Sequence, residues 1–339
     1  MDRRHVIWDL PLEIEGYTLS KLTGGERITT LLRLQGGGHE GVGEDVLQDP
    51  QDPEAEHNAF KAQKPLPLAG SWTLRSFCEH LATLEQWERE PEWGDFARRL
   101  RNWVYESAAL DLALRQANLS LQEALGREPR PLTFVNSLGL GDPPSVATIH
   151  RRLEMYPSVG FKLDASSDWT PEIIETLAGT GAVKTIDFKG RYGLEIKDEQ
   201  ALGALYDAVV EAFPGAILED PHEQFMDRLA GCEDRVSFDA PIARVEDITT
   251  RIINIKPSRI GSLKPLFEIY AHGEAEGLTM YGGGMGELGP ARRQIQLLAS
   301  IFHPDTPNDV APPPFNLPDP PPGLPSSPLE PPPPEPGFH

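Results

Sequence analysis

Between residues 5 and 35 the apolar positions recur at every second residue. Val6, Trp8, Leu10, Leu12 and Ile14 alternate with polar neighbours, which predicts a strand with one buried face. A turn at Thr23-Gly24-Gly25-Glu26 leads to a second run at 28–34, and the glycines at 36–38 end it. A small antiparallel sheet is the expectation here. Past residue 70 the period lengthens. Leu74, Phe77, Leu81, Leu84 and Trp87 share one helical face, and Phe96, Leu100, Trp103 and Val104 begin another. The second run continues through 108–113 to a stop at Gly126. Sheet first and helices second make an α+β unit of about 125 residues.

From residue 130 the rhythm is regular. β-rich runs at 132–138, 159–163, 183–188, 216–218, 236–238, 252–255 and 278–281 alternate with amphipathic stretches at 146–155, 171–178, 199–213, 223–230, 263–275 and 292–302. Seven strands, roughly 17 to 30 residues apart and most followed by a helix, predict a parallel β/α series. A right-handed series of this length closes most economically into a barrel. A doubly wound open sheet is the alternative, but no Gly-x-Gly-x-x-Gly follows the first strand. Residues 308–312 stand where an eighth strand should fall. Beyond them no period survives: 16 of the chain's 34 prolines lie after residue 303, in runs such as 312–314, 320–322 and 331–334. Such runs favour polyproline II.

Composition narrows the function classes. The 339 residues include 31 basic and 52 acidic side chains, a formal charge of −21. That balance argues against nucleic acid or an anionic membrane as partner, since phosphate contacts need clustered Lys and Arg. Two cysteines, Cys78 and Cys232, exclude a disulfide framework and a Cys-rich zinc site. The start of the chain lacks the apolar core of a signal peptide, and no window approaches the roughly 18 apolar residues of a membrane span. A soluble, cytoplasmic protein is expected.

The candidate chemistry stands at the C-terminal ends of the strands, where a β/α barrel builds its active site. The second ends Phe161-Lys162-Leu163-Asp164, the third Ile186-Asp187, and the fourth Leu218-Glu219-Asp220-Pro221. The fifth ends Phe238-Asp239 and the sixth Ile255-Lys256-Pro257. Three successive strands thus deliver one carboxylate each into one mouth, with a lysine on either side. Converging carboxylates repel and raise each other's pKa unless a cation neutralises them. Oxygen-only ligands select a hard ion, Mg²⁺ before Mn²⁺ or Ca²⁺. Such an ion can hold a substrate carboxylate and stabilise the enediolate left when a lysine removes the adjacent proton. A lone acid after a strand is more often an N-cap or a solvated turn, and Asp220 before Pro221 fits that role better than Glu219. A lone Lys162 or Lys256 is more often a snorkelling lysine. Five consecutive strands carrying charge in the same relative place favour an active site.

These residues resemble the enolase superfamily, in particular its muconate-lactonizing subgroup of muconate cycloisomerase and o-succinylbenzoate synthase type. The likeness is carried by Tyr105-Glu-Ser-Ala-Ala-Leu-Asp-Leu-Ala-Leu114, Phe161-Lys-Leu-Asp164, Thr185-Ile-Asp187, Leu218-Glu-Asp-Pro221 and Phe238-Asp239. Ile255-Lys256-Pro-Ser-Arg-Ile-Gly261 and Gly282-Gly-Gly-Met-Gly-Glu-Leu-Gly289 complete it, in the family's order over nearly the whole chain. The resemblance implies an α/β fold: a modified TIM-type (β/α)7β barrel under an N-terminal α+β capping domain. The expected divisions are a capping domain at 1–128, a barrel at 129–311, and a Pro-rich extension at 312–339 that packs back on the capping domain. It implies Mg²⁺, with Mn²⁺ possible, on Asp187, Glu219 and Asp239, and Lys256 as acid/base catalyst; a lysine or histidine base with Mg²⁺ is general to such sites. Gly283 and Glu287 are expected to meet the substrate, a small carboxylate, under capping loops at 21–27 and 47–58. A homo-oligomer, dimer or octamer, is the family's habit. Gly282–Gly284 replaces the histidine that would mark the mandelate-racemase subgroup.

One residue departs from the pattern. The family's second strand-two lysine, the catalyst on the opposite face, is Asp164 here. Lys256 acting alone supports dehydration or cycloisomerisation. The alternatives are a racemase or epimerase of an acid or dipeptide, with Asp164 or Lys162 as second base, and a non-catalytic descendant that binds metal and carboxylate.

Overall fold

The computed structural model describes residues 4–192, 196 and 198–339. In chain order its first unit contains β1 (Pro11–Ile14), β2 (Gly16–Gly24), β3 (Arg27–Gly36), β4 (His39–Asp45), α1 (Ala55–Ala62), β5 (Gly70–Thr73), α2 (Leu74–Leu81), α3 (Gly94–Gln116) and α4 (Leu121–Leu125). β2, β3 and β4 form an antiparallel sheet, and β1 pairs with β5. The expected strand through Val6, Trp8 and Leu10 is instead a 3-10 turn, Arg4–Asp9, that buries Ile7. Ile7 interrupts the alternation, and β1 finds a partner only along Pro11–Ile14. The helical face expected through Trp87 ends at Leu81, and Trp87 enters the core from a loop. The sequence reading also missed β4, whose apolar signal is weakened by its glycines. Those glycines let it lie against α3: a Cβ at Gly41 would meet Ala108 O at 2.2 Å, and one at Gly43 would meet Val104 O at 2.1 Å.

The second unit follows the predicted alternation. It runs β6 (Val135–Leu138), α5 (Ala147–Met155), β7 (Gly160–Asp164), α6 (Pro171–Thr180), β8 (Val183–Asp187), α7 (Glu199–Ala212), β9 (Ile217–Glu219) and β10 (Val236–Phe238). Then come β11 (Ile252–Ile255), α8 (Pro257–Ile260), α9 (Leu263–Glu276), β12 (Thr279–Gly282) and α10 (Pro290–Phe302). The helix expected at 223–230 is a 3-10 segment, Glu223–Leu229. β6 to β12 form one parallel sheet in sequence order. Asn308 and Asp309 bridge its two edges, Asn308 beside Phe134 and Asp309 beside Gly283. The result is a (β/α)7β barrel with an N-terminal α+β capping domain, as expected from the sequence.

One side chain reinforces the backbone bonds that close the barrel. Asn308 Oδ1 accepts from the Gly282 amide at 2.6 Å, and Asn308 Nδ2 donates to the carbonyls of Thr133, His303 and Thr306 at 3.0, 2.9 and 2.8 Å. It therefore ties β12 to the segment entering β6. His303 Nδ1 lies 2.7 Å from the same Oδ1, which as an acceptor fixes a proton on that nitrogen.

The capping unit supplies caps to barrel helices. Glu44 on β4 accepts from the amides of Leu288, Gly289 and Ala291 at 2.6, 3.0 and 3.2 Å, at the start of α10. Glu106 on α3 accepts from the Leu263 amide at 2.7 Å, at the start of α9. Each places a carboxylate on the positive end of a helix. The Pro-rich segment runs back along the surface, bridging Leu132 with Leu329 and Ser120 with Gly337, and buries Phe338 edge-on against Trp103. Among the described residues no helix is long and apolar enough to cross a membrane.

Asn308→Asp turns the donor facing three carbonyls into an acceptor. It is expected to lower unfolding free energy by at least about 2 kcal/mol in urea titrations, as an unsatisfied buried polar group does. Burial lowers the His303 pKa to about 4, so the folded protein keeps the ring neutral while the unfolded chain protonates near 6.5. Stability is then full above about pH 6.5 and falls as pH drops toward 4, where unfolding takes up a proton. His303→Gln should flatten that slope in unfolding measurements across the same window.

Candidate active site

The parallel register sets the strand ends side by side. Asp164 stands opposite Asp187, and Asp187 opposite Glu219. Asp187, Glu219, Asp239 and Lys162 are fully buried, and Lys256 is nearly so. Lys162, on β7, points into the barrel, where its ammonium bonds Glu219 Oε1 and lies 3.2 Å from Asp187 Oδ2. Lys256 follows β11 and donates to Asp239 Oδ2 at 2.6 Å. Arg259 Nη1 lies 2.6 Å from Asp239 Oδ1, an oxygen that accepts no hydrogen bond.

Charges held this far from water control one another. Burial pushes the Glu219 carboxyl up, to about 7, against the pull of Lys162. Burial acts the same way on Asp239, but Lys256 and Arg259 outweigh it and hold that group below the carboxylate range. For Lys162 burial works against the ammonium, yet Glu219 and Asp187 raise it well above its ordinary value. Neutral groups complete the frame. Tyr281 donates to Glu219 Oε2 at 2.5 Å and lies 2.9 Å from Ser237 Oγ, and Asn254 Nδ2 lies 3.3 Å from the same Oε2.

Among the described residues, the acids whose ligand atoms lie within 4.8 Å of one another are Glu219, Asp220 and Asp239. Carboxylate oxygens alone are a donor set for a hard cation, so this group could hold a metal ion. Asp220 is otherwise engaged: its two oxygens accept from the amides of Asp239 and Ala240 at 2.9 and 3.1 Å, and anchor the end of β10. Asp187 stands outside the group. Its Oδ1 accepts from the Lys189 amide at 3.0 Å, and its Oδ2 from Lys189 Nζ at 2.5 Å.

The remaining expected residues divide. Gly283 lies beside Lys256: a Cβ there would meet Lys256 Cε at 2.6 Å and Asn254 Oδ1 at 2.7 Å. Glu287 turns into its own loop, accepting from the Met285 amide at 3.0 Å and Ser258 Oγ at 3.2 Å. Asp164 is brought to the mouth and pairs with Lys189 at 3.1 Å. The two expected capping loops meet each other through Lys21 and Glu54 at 2.8 Å. Arg27 clamps the segment after β12, donating to the carbonyls of Met285 and Gly286 at 2.6 and 2.7 Å.

The sequence reading passed over Lys189, Asn254, Tyr281, Arg259 and Tyr192, whose hydroxyl donates to Asp239 Oδ2 at 3.2 Å and accepts from Arg259 Nη2 at 3.1 Å. Two had a legible signal: Lys189 lies two residues past Asp187 and Asn254 two before Lys256, the strand period for a shared face. Tyr281 had none, because it reads as an ordinary apolar strand residue.

Comparison with known proteins bears directly on this geometry. Two family profiles match in tandem: "Domain of unknown function (DUF8230) N-terminal domain" over residues 5–124 and its C-terminal counterpart over residues 128–317. The o-succinylbenzoate synthase of Bacillus subtilis is 28% identical over 215 residues, 61% of this chain and 57% of that protein. The N-succinylamino acid racemase of Thermus thermophilus is 26% identical over 318 residues, 90% of this chain and 84% of its own. The chain belongs to the DUF8230 family, on the muconate-lactonizing side of the enolase superfamily. In fold it is similar to the muconate cycloisomerase of Pseudomonas fluorescens, at TM-score 0.66 and 17% identity over 88% of this chain and 87% of that one. It is likewise similar to a dipeptide epimerase of Methylococcus capsulatus solved with a Mg ion, at TM-score 0.66 and 20% identity over 88% and 89%. These relatives are enzymes, and the lyase or isomerase class expected from the sequence is theirs.

The anchoring role of Asp220 can be separated from metal ligation. Asp220→Asn sets an amide group against one of two backbone donors and is expected to lower unfolding free energy by about 1–3 kcal/mol. Urea titration without added metal measures this; a value indistinguishable from the parent protein would return Asp220 to the ligand set.

Proposed function

We propose that the chain is a Mg²⁺-dependent lyase or isomerase that removes the proton α to a carboxylate of a small-molecule substrate. The observation that carries this reading is one mouth holding buried Glu219 and Asp239, with Asp187 on the next strand and Lys256 at 2.6 Å from Asp239. Asp187, Glu219 and Asp239 would hold the ion, Mg²⁺ or alternatively Mn²⁺; the all-oxygen donor set fits it, as does Asp239 Oδ1, which accepts no hydrogen bond and faces Arg259 Nη1. When bound, it supplies Lewis-acid stabilisation of the charge that develops on the substrate carboxylate.

Lys256 is the base. It stands at the end of β11, backed by α3, where Arg99 Nε and Asn102 Nδ2 donate to the carbonyls of Arg259 and Gly261 at 2.8 and 2.7 Å. Gly283 leaves room for its stem. Lys162 is spent on Glu219 and Asp187, so it orients those carboxylates rather than shuttling protons. With a carboxylate at Asp164 the opposite face has no lysine of its own strand, and one-base chemistry follows: loss of water or cycloisomerisation. The second reading, a racemase or epimerase using Asp164 or Lys162, is favoured by the names of two relatives, a racemase and a dipeptide epimerase. Residues 1–128 act as the capping domain, 129–311 as the catalytic barrel and 312–339 as the extension. The Lys21–Glu54 pair supports capping loops that close together over the substrate. A cytoplasmic dimer or octamer is the proposed working form.

Proton exchange decides among these. The protein with Mg²⁺ is incubated in D₂O with N-succinylamino acids and dipeptides, which carry a proton α to a carboxylate, and α-H loss is followed by NMR. Exchange abolished in Lys256→Ala and retained at saturating Mg²⁺ in Asp164→Asn is expected; loss in both identifies a two-base racemase. Gly283→Ala, with its methyl against Lys256, should slow exchange on the order of tenfold or more, as displacement of a catalytic group does. No exchange with any acid that binds by calorimetry would identify the non-catalytic binder.

A further inference from the structure

Asp164 breaks the family pattern, and its surroundings give it a task. β7 and β8 pair with Asp164 beside Asp187, so two carboxylates end neighbouring strands at the same height. Lys189 stands two residues past Asp187 with φ at +55°, in the left-handed region that a lysine rarely adopts. That turn carries its side chain back over the strand ends. Its Nζ lies 2.5 Å from Asp187 Oδ2 and 3.1 Å from Asp164 Oδ1, between one buried carboxylate and one whose side chain is 42% exposed. The Lys189 side chain is 31% exposed at the rim, whereas Lys162 below it is sealed in the barrel.

Asp187 Oδ2 already lies 3.2 Å from the Lys162 ammonium, and with Lys189 at 2.5 Å on the same atom it has no room for a divalent ion. Two cations at contact distance in a poorly solvated mouth repel strongly, and a lysine left there without another anion would hold Asp187 for itself. We propose that Asp164 is a positioning residue for the metal centre: it is the second seat of Lys189, drawing the ammonium away so that Asp187 can join Glu219 and Asp239 around a divalent cation. This rests on the reading of Asp187 as a metal ligand. It makes the departure from lysine at strand two and the lysine beyond strand three one arrangement, in which the rim keeps a cation and the neighbouring strand supplies it.

Mn²⁺ binding to the full chain, followed by electron paramagnetic resonance, tests this without substrate. Asp164→Asn is expected to weaken Mn²⁺ affinity about tenfold, within the coupling found for contacting groups. Asp164→Glu should bind like the parent protein, and Lys189→Gln at least as tightly. In the Lys189→Gln background, adding Asp164→Asn should change affinity less than about twofold, because the lysine it restrains is gone. The proposal fails if Asp164→Asn has no effect, or has the same effect with and without Lys189, which would mark a general field of one negative charge. Asp187→Asn separates the two levels. If it leaves Mn²⁺ affinity unchanged, or Mn²⁺ does not bind the parent protein, the metal-site reading falls and this proposal with it. Binding that depends on Asp187 and ignores Asp164 overturns this proposal alone.

Discussion

Three carboxylates cannot be buried at one end of a barrel without cations to meet them. Desolvation alone would drive Asp187, Glu219 and Asp239 to take up protons, and their mutual repulsion would add to it. Lys162 and Lys189 hold Asp187 ionised, Lys256 and Arg259 hold Asp239, and Glu219 is the one of the three whose carboxyl is left raised, to about 7. The consequence is a set of like charges kept in reach of one another, ready to change partners. On the proposed reading, a cation entering the mouth would exchange lysine contacts for its own, so chemistry and stability would act on the same few side chains.

The rest of the molecule keeps that mouth in place. The barrel closes through Asn308, which no strand period announces and which bonds β12 and the approach to β6 at once. The capping unit is fastened by carboxylates rather than by apolar area alone. Glu44 and Glu106 each reach out of their own unit to the N-terminus of a barrel helix, and α3 backs the turn that presents Lys256 and Arg259. A shift of the cap therefore pulls on α9, α10 and the segment after β12, where Arg27 also holds two carbonyls. The capping unit and the turn that presents Lys256 are thus mechanically connected.

Much of this was legible in the chain. The seven barrel strands fall within a few residues of their predicted places, because a buried parallel strand is a short apolar run bounded by turns and has few other readings. The misreadings share a cause. Val6, Trp8 and Leu10 match period two only if Ile7 is ignored, and the α2 face continues to Trp87 on paper although the helix stops. Periodicity reports which residues are buried before it reports the backbone that buries them. β4 was missed for the opposite reason: close packing on α3 demands glycines, and glycines erase the apolar signal.

The sequence by itself determined the order of the barrel strands, the barrel, and the acids and lysines that end its strands, since these follow from local pattern and strand polarity. It also placed Asp164 where a lysine was expected, without a reason. Only the tertiary structure decided which charges meet. Asp187 sits with Lys162 and Lys189 while Asp220, adjacent to Glu219 in sequence, turns to backbone amides and stiffens the next strand. Tyr281 became a polar contact of Glu219 and Glu287 a contact of its own loop. Such pairings depend on distances of a few ångströms between separate strands, and a one-dimensional pattern carries no such distance.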